Sequence, residues 1–308
     1  MSPLSPTVDF FCIGAQKAGT TWLYRRLLEL PEFTLPPEKE LHYFSRSSEY
    51  ISCNKLNESS LIKRLSKSGW LSSALHQLDR SIDRDREVDY HWKLKWFFSD
   101  YTDQWYLSLF DKMDGIKGDI SPSYAILKEQ DIRKMFTLFP DVKIIFILRN
   151  PIERAWSQYR HISASSRSID KNNLDVKSIT QFVLSEFQEA RSDYLTTLNR
   201  YLKVIPPQQL MIAFFDAIKT DPVLFLMEVV HFLGGDASKV PIHCKAKEKN
   251  NVSPKFSPPP EITLLLKHKY QHTIKELSNT IGGYSTQWYN QAYDYNKPVG
   301  KLFPTLML

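Results

Sequence analysis

Cysteine is scarce in this chain. Cys12, Cys53 and Cys244 are the only three in 308 residues, an odd and sparse set that excludes a disulfide framework and fits a reducing compartment. No C-x-x-C pair occurs and no His/Cys cluster has zinc-ligand spacing, so no metal is expected. Long apolar runs are missing as well. The longest are far too short to cross a bilayer, and Met1 to Val8 carries no apolar signal region. The expectation is a protein without a transmembrane segment, working in the cytoplasm. There is also no long Gly/Ser or low-complexity tract to act as a linker, and no internal repeat. The chain is therefore expected to form one domain over residues 1–308.

Apolar material is plentiful. Hydrophobic residues make up 42% of the chain and aromatics 13%, enough for one large α/β domain. The net charge of +6 is modest and its basic residues are spread along the chain, which argues against a nucleic-acid arm. Charge alone does not separate a solvated surface from a cleft that attracts an anion.

Strand and helix signals alternate. Val8 to Ile13 reads as a buried strand ending at Gly14, and Leu23, Leu27 and Leu30 then share one helical face. Thr20 or Thr21 is placed to cap that helix and Pro31 to stop it. Ile116 to Ile120 reads as a second strand, with a turn at Ser121-Pro122-Ser123 and a helix from about Glu129 to Phe139. Lys143 to Leu148 is the clearest buried strand. It runs into Arg149-Asn150-Pro151, where Asn150 suits the N-cap, Pro151 the first helical position and Glu153 a capping box. Gln209 to Phe215 reads as a strand and Pro222 to Leu233 as a helix stopped by Gly234-Gly235. This alternation predicts an α/β fold of three layers, a central parallel sheet flanked by helices, with ligands beyond the carboxyl ends of its strands. Residues from about 45 to 114, rich in Ser, charge and aromatics, form a less patterned insertion of helices and loops covering a site.

Gly14 and Gly19 have the G-x-x-x-x-G spacing of a P-loop, but Thr20 stands where a triphosphatase needs lysine, and Lys17 lies inside the loop. A phosphate still finds backbone N–H groups, a helix N-terminus, two hydroxyls and one cation there. An ordinary tight turn would explain two glycines and a lysine; the fuller pattern Gly14-x-x-Lys17-x-Gly19-Thr20-Thr21-x-Leu23 favours phosphate binding. A P-loop kinase would need the displaced lysine and an aspartate for magnesium.

This loop resembles that of the sulfotransferase superfamily, in particular the branch of the heparan sulfate sulfotransferases and their soluble bacterial relatives. The resemblance implies 3′-phosphoadenosine 5′-phosphosulfate (PAPS) as donor and adenosine 3′,5′-bisphosphate as product, with no metal. It implies that Lys17 contacts the bridging region while Ala18, Gly19, Thr20 and Thr21 cradle the 5′-phosphate. The run Lys143 to Arg149, continued through Ser157 and Tyr159, looks like the family's 3′-phosphate motif. Arg149 ends a buried strand and can present a fork to phosphate, and Ser157 lies about 9 Å along the helix axis from Pro151. Arg154 and His161 share the Ser157 face and are read as surface or structural.

Pro36 to Phe44 resembles the segment that supplies the catalytic base in the glycan-modifying branch. That role falls on Glu40, with His42 as alternative base or partner, since a carboxylate or an imidazole can take the proton of an attacking hydroxyl. The two point the same way if the stretch is extended. Glu38 and Lys39 are expected to be solvated. Gly118-Asp119-Ile120-Ser121-Pro122-Ser123-Tyr124 resembles the family's G-E-K-S-P-x-Y, with Ile120 in place of the lysine. Lys245 to Lys255 falls where the family closes a basic loop over the nucleotide, and Glu261 to Trp288 looks like its final helices. The function implied is in-line transfer to a hydroxyl of a carbohydrate, lipid or small molecule. A non-catalytic anion- or glycan-binding module on the same fold is the alternative.

Overall fold

The computed structural model describes residues 7–52, 56–82, 87–165, 175–241 and 256–307. Among these, six strands form one sheet: β1 Phe10–Gly14, β2 Phe33–Thr34, β3 Ile116–Ile120, β4 Lys143–Leu148, β5 Leu210–Phe214 and β6 Thr305–Met307, in the order β2-β3-β1-β4-β5-β6. The first five run parallel, and β6 joins β5 antiparallel as an edge. The three-layer α/β expectation holds, with this single antiparallel strand added. The tiny edges β2 and β6 were not foreseen, because two or three residues carry no periodicity to read.

β1, β4 and β5 are the central strands, and their residues are buried almost throughout. A strand covered by helices on both faces needs no polar alternation, which is why these segments read as continuous apolar runs. Gly118 is fixed by packing. A Cβ there would lie 2.2 Å from the Phe10 ring, which crosses from the neighbouring strand.

The parallel register brings the ends of β1, β3 and β4 to one edge of the sheet. Gly14, Ser121 and Arg149 stand there, and Ala15 N–H donates to the Ile147 carbonyl at 2.7 Å to hold the first loop against β4. Helices cover the sheet, including Thr20–Leu27, Pro151–Ser165 and Pro222–Leu233. The last ends on Gly234 at φ 92°, as its Gly-Gly stop signal predicts. The expected turn after β3 is a short 3₁₀ helix, Pro122–Ile126, with every residue buried. Asn150 caps the next helix by accepting from Ile152 N–H at 3.0 Å. Glu153 does not close the capping box; its carboxylate meets Arg149 at 3.2 Å and Lys219 at 3.3 Å. A neighbouring guanidinium outcompetes one backbone amide for a carboxylate.

The insertion is helical: Leu61–Leu65, Trp70–Ile82, Glu87–Phe97 and Asp103–Ser108. Most of its aromatics are buried in the core. Trp92 stacks on Trp96 at 5.2 Å, and Tyr106 stacks on Tyr43 at 4.4 Å. The final helices run Pro260–Thr280 and Tyr284–Tyr293, while residues 245–255, where a nucleotide-closing loop was expected, lie outside the described residues.

Candidate active site

The loop after β1 leaves a helix start open. Neither Thr20 nor Thr21 is the cap; Gly19 occupies that position at φ 91°, with no side chain accepting from the first turn. The backbone at φ 91° requires glycine at position 19, where a Cβ would also press on the terminal methyl of Ile218 at 2.8 Å. The uncapped N–H groups of Thr20–Leu27 are a positive electrostatic end. Ala18 is fully buried, and its N–H donates to the Ala15 carbonyl at 3.0 Å.

Lys17 has φ 70°, and its carbonyl accepts from Arg149 Nη1 at 2.8 Å. This clasp ties the loop to the end of β4. Burial pushes the Lys17 ammonium down to about 8, with Arg149 and Arg160 acting in the same direction and Glu40 opposing. A cation short of counter-charge beside an open helix start is an arrangement that gains from an arriving anion.

Arg149 is the second anchor. Its Nη2 pairs with Glu153, its guanidinium lies 4.5 Å from the Phe215 ring centroid, and its own carbonyl accepts from Tyr194 OH at 2.8 Å. Arg149 Nε is buried without a hydrogen-bond partner, as is Gln16 Oε1 inside the loop. Orphaned buried polar atoms are uncommon in folded proteins, and a bound phosphate or its ribose satisfies such groups. Ser157 is buried on the helix Pro151–Ser165, two turns past Arg149. Arg154 is buried as well and structural: it donates Nε to Ser192 Oγ at 2.8 Å. His161 is exposed. Its imidazole is held below the usual value by partial burial and then by Lys17.

Glu40 and His42 meet, but not by an extended strand. Both have left-handed backbone, φ 67° and φ 57°, and His42 Nε2 lies 3.5 Å from Glu40 Oε2. Lys39, expected in solvent, is 15% exposed and reaches Glu40 Oε1 at 2.5 Å. Burial raises the Glu40 carboxyl, but His42 and Lys39 outweigh it and hold the group down at about 2.

The strained loop is held from below by one buried carboxylate. Ser121 Oγ and Tyr124 OH donate to Asp119 at 2.6 and 2.7 Å. The same two oxygens accept from the backbone N–H groups of His42 at 3.3 Å and Tyr43 at 3.0 Å. Tyr106 OH, from the insertion, also donates to Asp119 at 3.0 Å. Asp119 thus orients two hydroxyls so that their lone pairs face consecutive loop amides. Burial raises its pKa, and the three hydroxyls work against that rise. His42 Nδ1 pairs with Ser123 Oγ at 2.8 Å, which is itself 2.8 Å from Ser45 Oγ. Ile120 is core. The cation nearest Glu40 comes instead from Lys39.

Sequence reasoning thus located Lys17, Gly19, Thr20, Thr21, Arg149, Glu40 and His42 on one edge of the sheet. It missed Lys39, Gln16 and Arg160. Their signal was adjacency to the motifs, which is weak by itself. Among the described residues no group of three or more His, Cys, Asp or Glu is arranged to hold a metal, and no helix is long and apolar enough to cross a membrane.

Comparison with known proteins gives the family and the fold. The model of the sulfotransferase family matches residues 9–238, and the chain belongs to that family. It is 31% identical over 110 residues to the human bifunctional heparan sulfate N-deacetylase/N-sulfotransferase 2 and 28% identical over 142 residues to the human enzyme 3 of that name. Those segments are 33% and 42% of this chain but only 12% and 16% of the relatives' own lengths. A crystal structure of a sulfotransferase from Alicyclobacillus acidocaldarius shares the fold, with a TM-score of 0.62 at 22% identity, covering 89% of this chain and 95% of that one.

Proposed function

We propose that this chain transfers a sulfuryl group from PAPS to an acceptor hydroxyl, with residues 1–308 acting as one domain. The observation that carries the reading is the meeting, at one sheet edge, of an uncapped helix start with Lys17, the Arg149 clasp and the Glu40–His42 pair. The donor supplies an activated sulfonate. The acceptor oxygen forms a bond to sulfur as the bond from sulfur to the phosphate oxygen breaks, and adenosine 3′,5′-bisphosphate leaves.

Each residue has a task in that scheme. Gly19, Thr20 and Thr21 present N–H groups and hydroxyls to the 5′-phosphate, with Ala18 lining the turn. Lys17 neutralises charge gathering on the leaving phosphate, where fixed positive charge contributes most. Arg149 and Ser157 hold the 3′-phosphate, and the two grips together fix the sulfonate in line with the acceptor. Glu40 takes the acceptor's proton, and His42 orients it and shares it. The sparse cysteines, with Cys12 a buried free thiol, support a reducing compartment, the cytoplasm.

A carbohydrate, a lipid or a small-molecule alcohol fits as acceptor. The names of the human relatives favour a glycan, whereas Ile120 removes a cation that a heparan-like polyanion would use. The test is incubation with labelled PAPS and a panel of those acceptors, alongside adenosine 3′,5′-bisphosphate binding. Binding with transfer is expected. Binding without transfer to any acceptor would support the anion- or glycan-binding module, and magnesium-dependent ATP binding that ignores adenosine 3′,5′-bisphosphate would overturn both. Glu40→Gln should lower kcat by about 10²–10⁴ while leaving nucleotide affinity unchanged. Normal turnover of Glu40→Gln would move the base to His42.

A further inference from the structure

Both carboxylate oxygens of Glu40 are engaged by side chains of its own loop. Lys39 Nζ lies 2.5 Å from Oε1, and His42 Nε2 lies 3.5 Å from Oε2. The Lys39 side chain is the more covered of that ion pair, 15% exposed against 35% for Glu40. Among the described residues Glu40 Oε1 is the one hydrogen-bond acceptor that Lys39 Nζ has. An ammonium carries three N–H donors, and Glu40 takes one of them.

The pair stands beside the loop after β1. Cys12 and Ile120 are in register on neighbouring parallel strands, so Ser121 leaves β3 alongside the approach to Gly14. Ser121 Oγ accepts from the His42 N–H at 3.3 Å, which draws the Glu40 loop to that same edge. The field of the Lys39 ammonium reaches Cys12 in β1 and Lys17 in the loop. Two lysines from different segments therefore share one edge of the sheet. One belongs to the loop that would grip phosphate, and the other is bound to the candidate base.

Resting on the sulfuryl-transfer reading, we propose that Lys39 is a donor-binding residue that passes from Glu40 Oε1 to the sulfonate of bound PAPS, so that donor binding unmasks the base. The lysine stem is flexible and its ammonium is a point charge, which suits a change of partner. A carboxylate held by two partners is a weak proton acceptor. With Lys39 on the sulfonate, Oε1 is open to the acceptor's hydroxyl. The hydroxyl proton goes to Oε1 as the acceptor oxygen bonds to sulfur. The electron pair of the breaking sulfur–oxygen bond leaves with the phosphate.

The other groups around Glu40 are less suited to this exchange. Besides Lys39 and His42, the charged groups whose fields reach Glu40 are Lys17 on the loop after β1 and His161 on the helix Pro151–Ser165. Lys17 serves the phosphate in the scheme above. His42 is tied down through Nδ1, which meets Ser123 Oγ at 2.8 Å. Of the two contacts of Glu40, Lys39 is the one with no second tether among the described residues.

The experiment is equilibrium binding of PAPS and of adenosine 3′,5′-bisphosphate to the full chain, to Lys39→Met and to Lys39→Arg. The two nucleotides differ by the sulfonate. Lys39→Met should raise the Kd for PAPS about tenfold or more and leave that for adenosine 3′,5′-bisphosphate within about twofold, and Lys39→Arg should recover PAPS binding. A second readout is the ¹³C signal of the Glu40 carboxyl, assigned with Glu40→Gln. PAPS should move its titration to higher pH in the unaltered chain, because a neighbouring cation leaves, and should move it less in Lys39→Met. An equal rise in Kd for both nucleotides assigns Lys39 to the structure of the loop and overturns the proposal. So does no rise for either, or an equal carboxyl shift in Lys39→Met. These results leave the sulfuryl-transfer reading standing, since both nucleotides still bind the unaltered chain. If the unaltered chain binds neither nucleotide, that reading fails and this one with it.

Discussion

With Lys17 against the nucleotide phosphate, as proposed above, nucleotide affinity should fall as pH rises. Burial, reinforced by Arg149 and Arg160, brings its ammonium down to about 8. A dianionic phosphate binds the charged form. The phosphate's own second ionisation, near pH 6, is complete above neutrality, so the ligand charge stays constant. Lys17 is roughly nine-tenths protonated at pH 7 and roughly one-tenth at pH 9, so the Kd for adenosine 3′,5′-bisphosphate should rise about tenfold between them. Affinity is full below about 8 and lost above it. Cys12 is pushed up to about 12 by burial, so its thiol does not share this window. Isothermal titration calorimetry at constant ionic strength measures the effect twice. Kd follows the curve directly, and binding at pH 8 should take up about half a proton, seen by comparing buffers of different ionisation enthalpy. Lys17→Arg keeps the charge and should flatten the profile. Lys17→Met should bind weakly and without slope. A flat profile for the unaltered chain, or a slope that survives Lys17→Met, would refute the reasoning.

Two further changes probe the frame around that lysine. Arg149→Lys keeps a charge but cannot reach both the Lys17 carbonyl and Glu153, so nucleotide Kd should rise by about tenfold, roughly 1–2 kcal/mol, as equilibrium binding will read. Asp119→Asn keeps the shape of the buried acceptor but turns one oxygen into a donor facing Ser121 or Tyr124; urea denaturation should show a loss of about 1–3 kcal/mol, with the nucleotide Kd little changed.

The central strands were legible because both faces are buried. β4 spans Lys143–Leu148 as read, and β5 spans Leu210–Phe214, one residue shorter at each end. The loop after β1 was legible for a different reason. Gly19 must adopt φ 91°, which only glycine does cheaply, so local sequence and local structure determine each other. The helix cap was misread because Thr20 and Thr21 are ordinary caps by type, yet here the chain leaves that place to glycine and keeps the N–H groups open.

The candidate base was legible as residue types and not as geometry. An extended Glu40–His42 stretch was the local expectation, and both residues instead have positive φ. Local contacts are the Lys39–Glu40 and Glu40–His42 pairs and Ser45 Oγ on the His42 carbonyl. A distant hold is added by Ser121 and Tyr124, 79 and 81 positions away, whose hydroxyls accept from the His42 and Tyr43 amides. Those hydroxyls are aimed by Asp119, and Asp119 is partly held by Tyr106 of the insertion that showed least pattern. Pattern reading sees spacing along the chain, whereas this loop is set by a buried carboxylate that collects hydroxyls from two distant segments. The same logic explains Lys39. Beside a glutamate on a loop it reads as solvated, but the fold closes over it and makes it, after His42, a partner that holds Glu40 at about 2. A base held that low is ionised at every working pH and a weak proton acceptor until its counter-charges are drawn elsewhere. Base strength at this site is therefore set by the partners of Glu40 rather than by the glutamate itself.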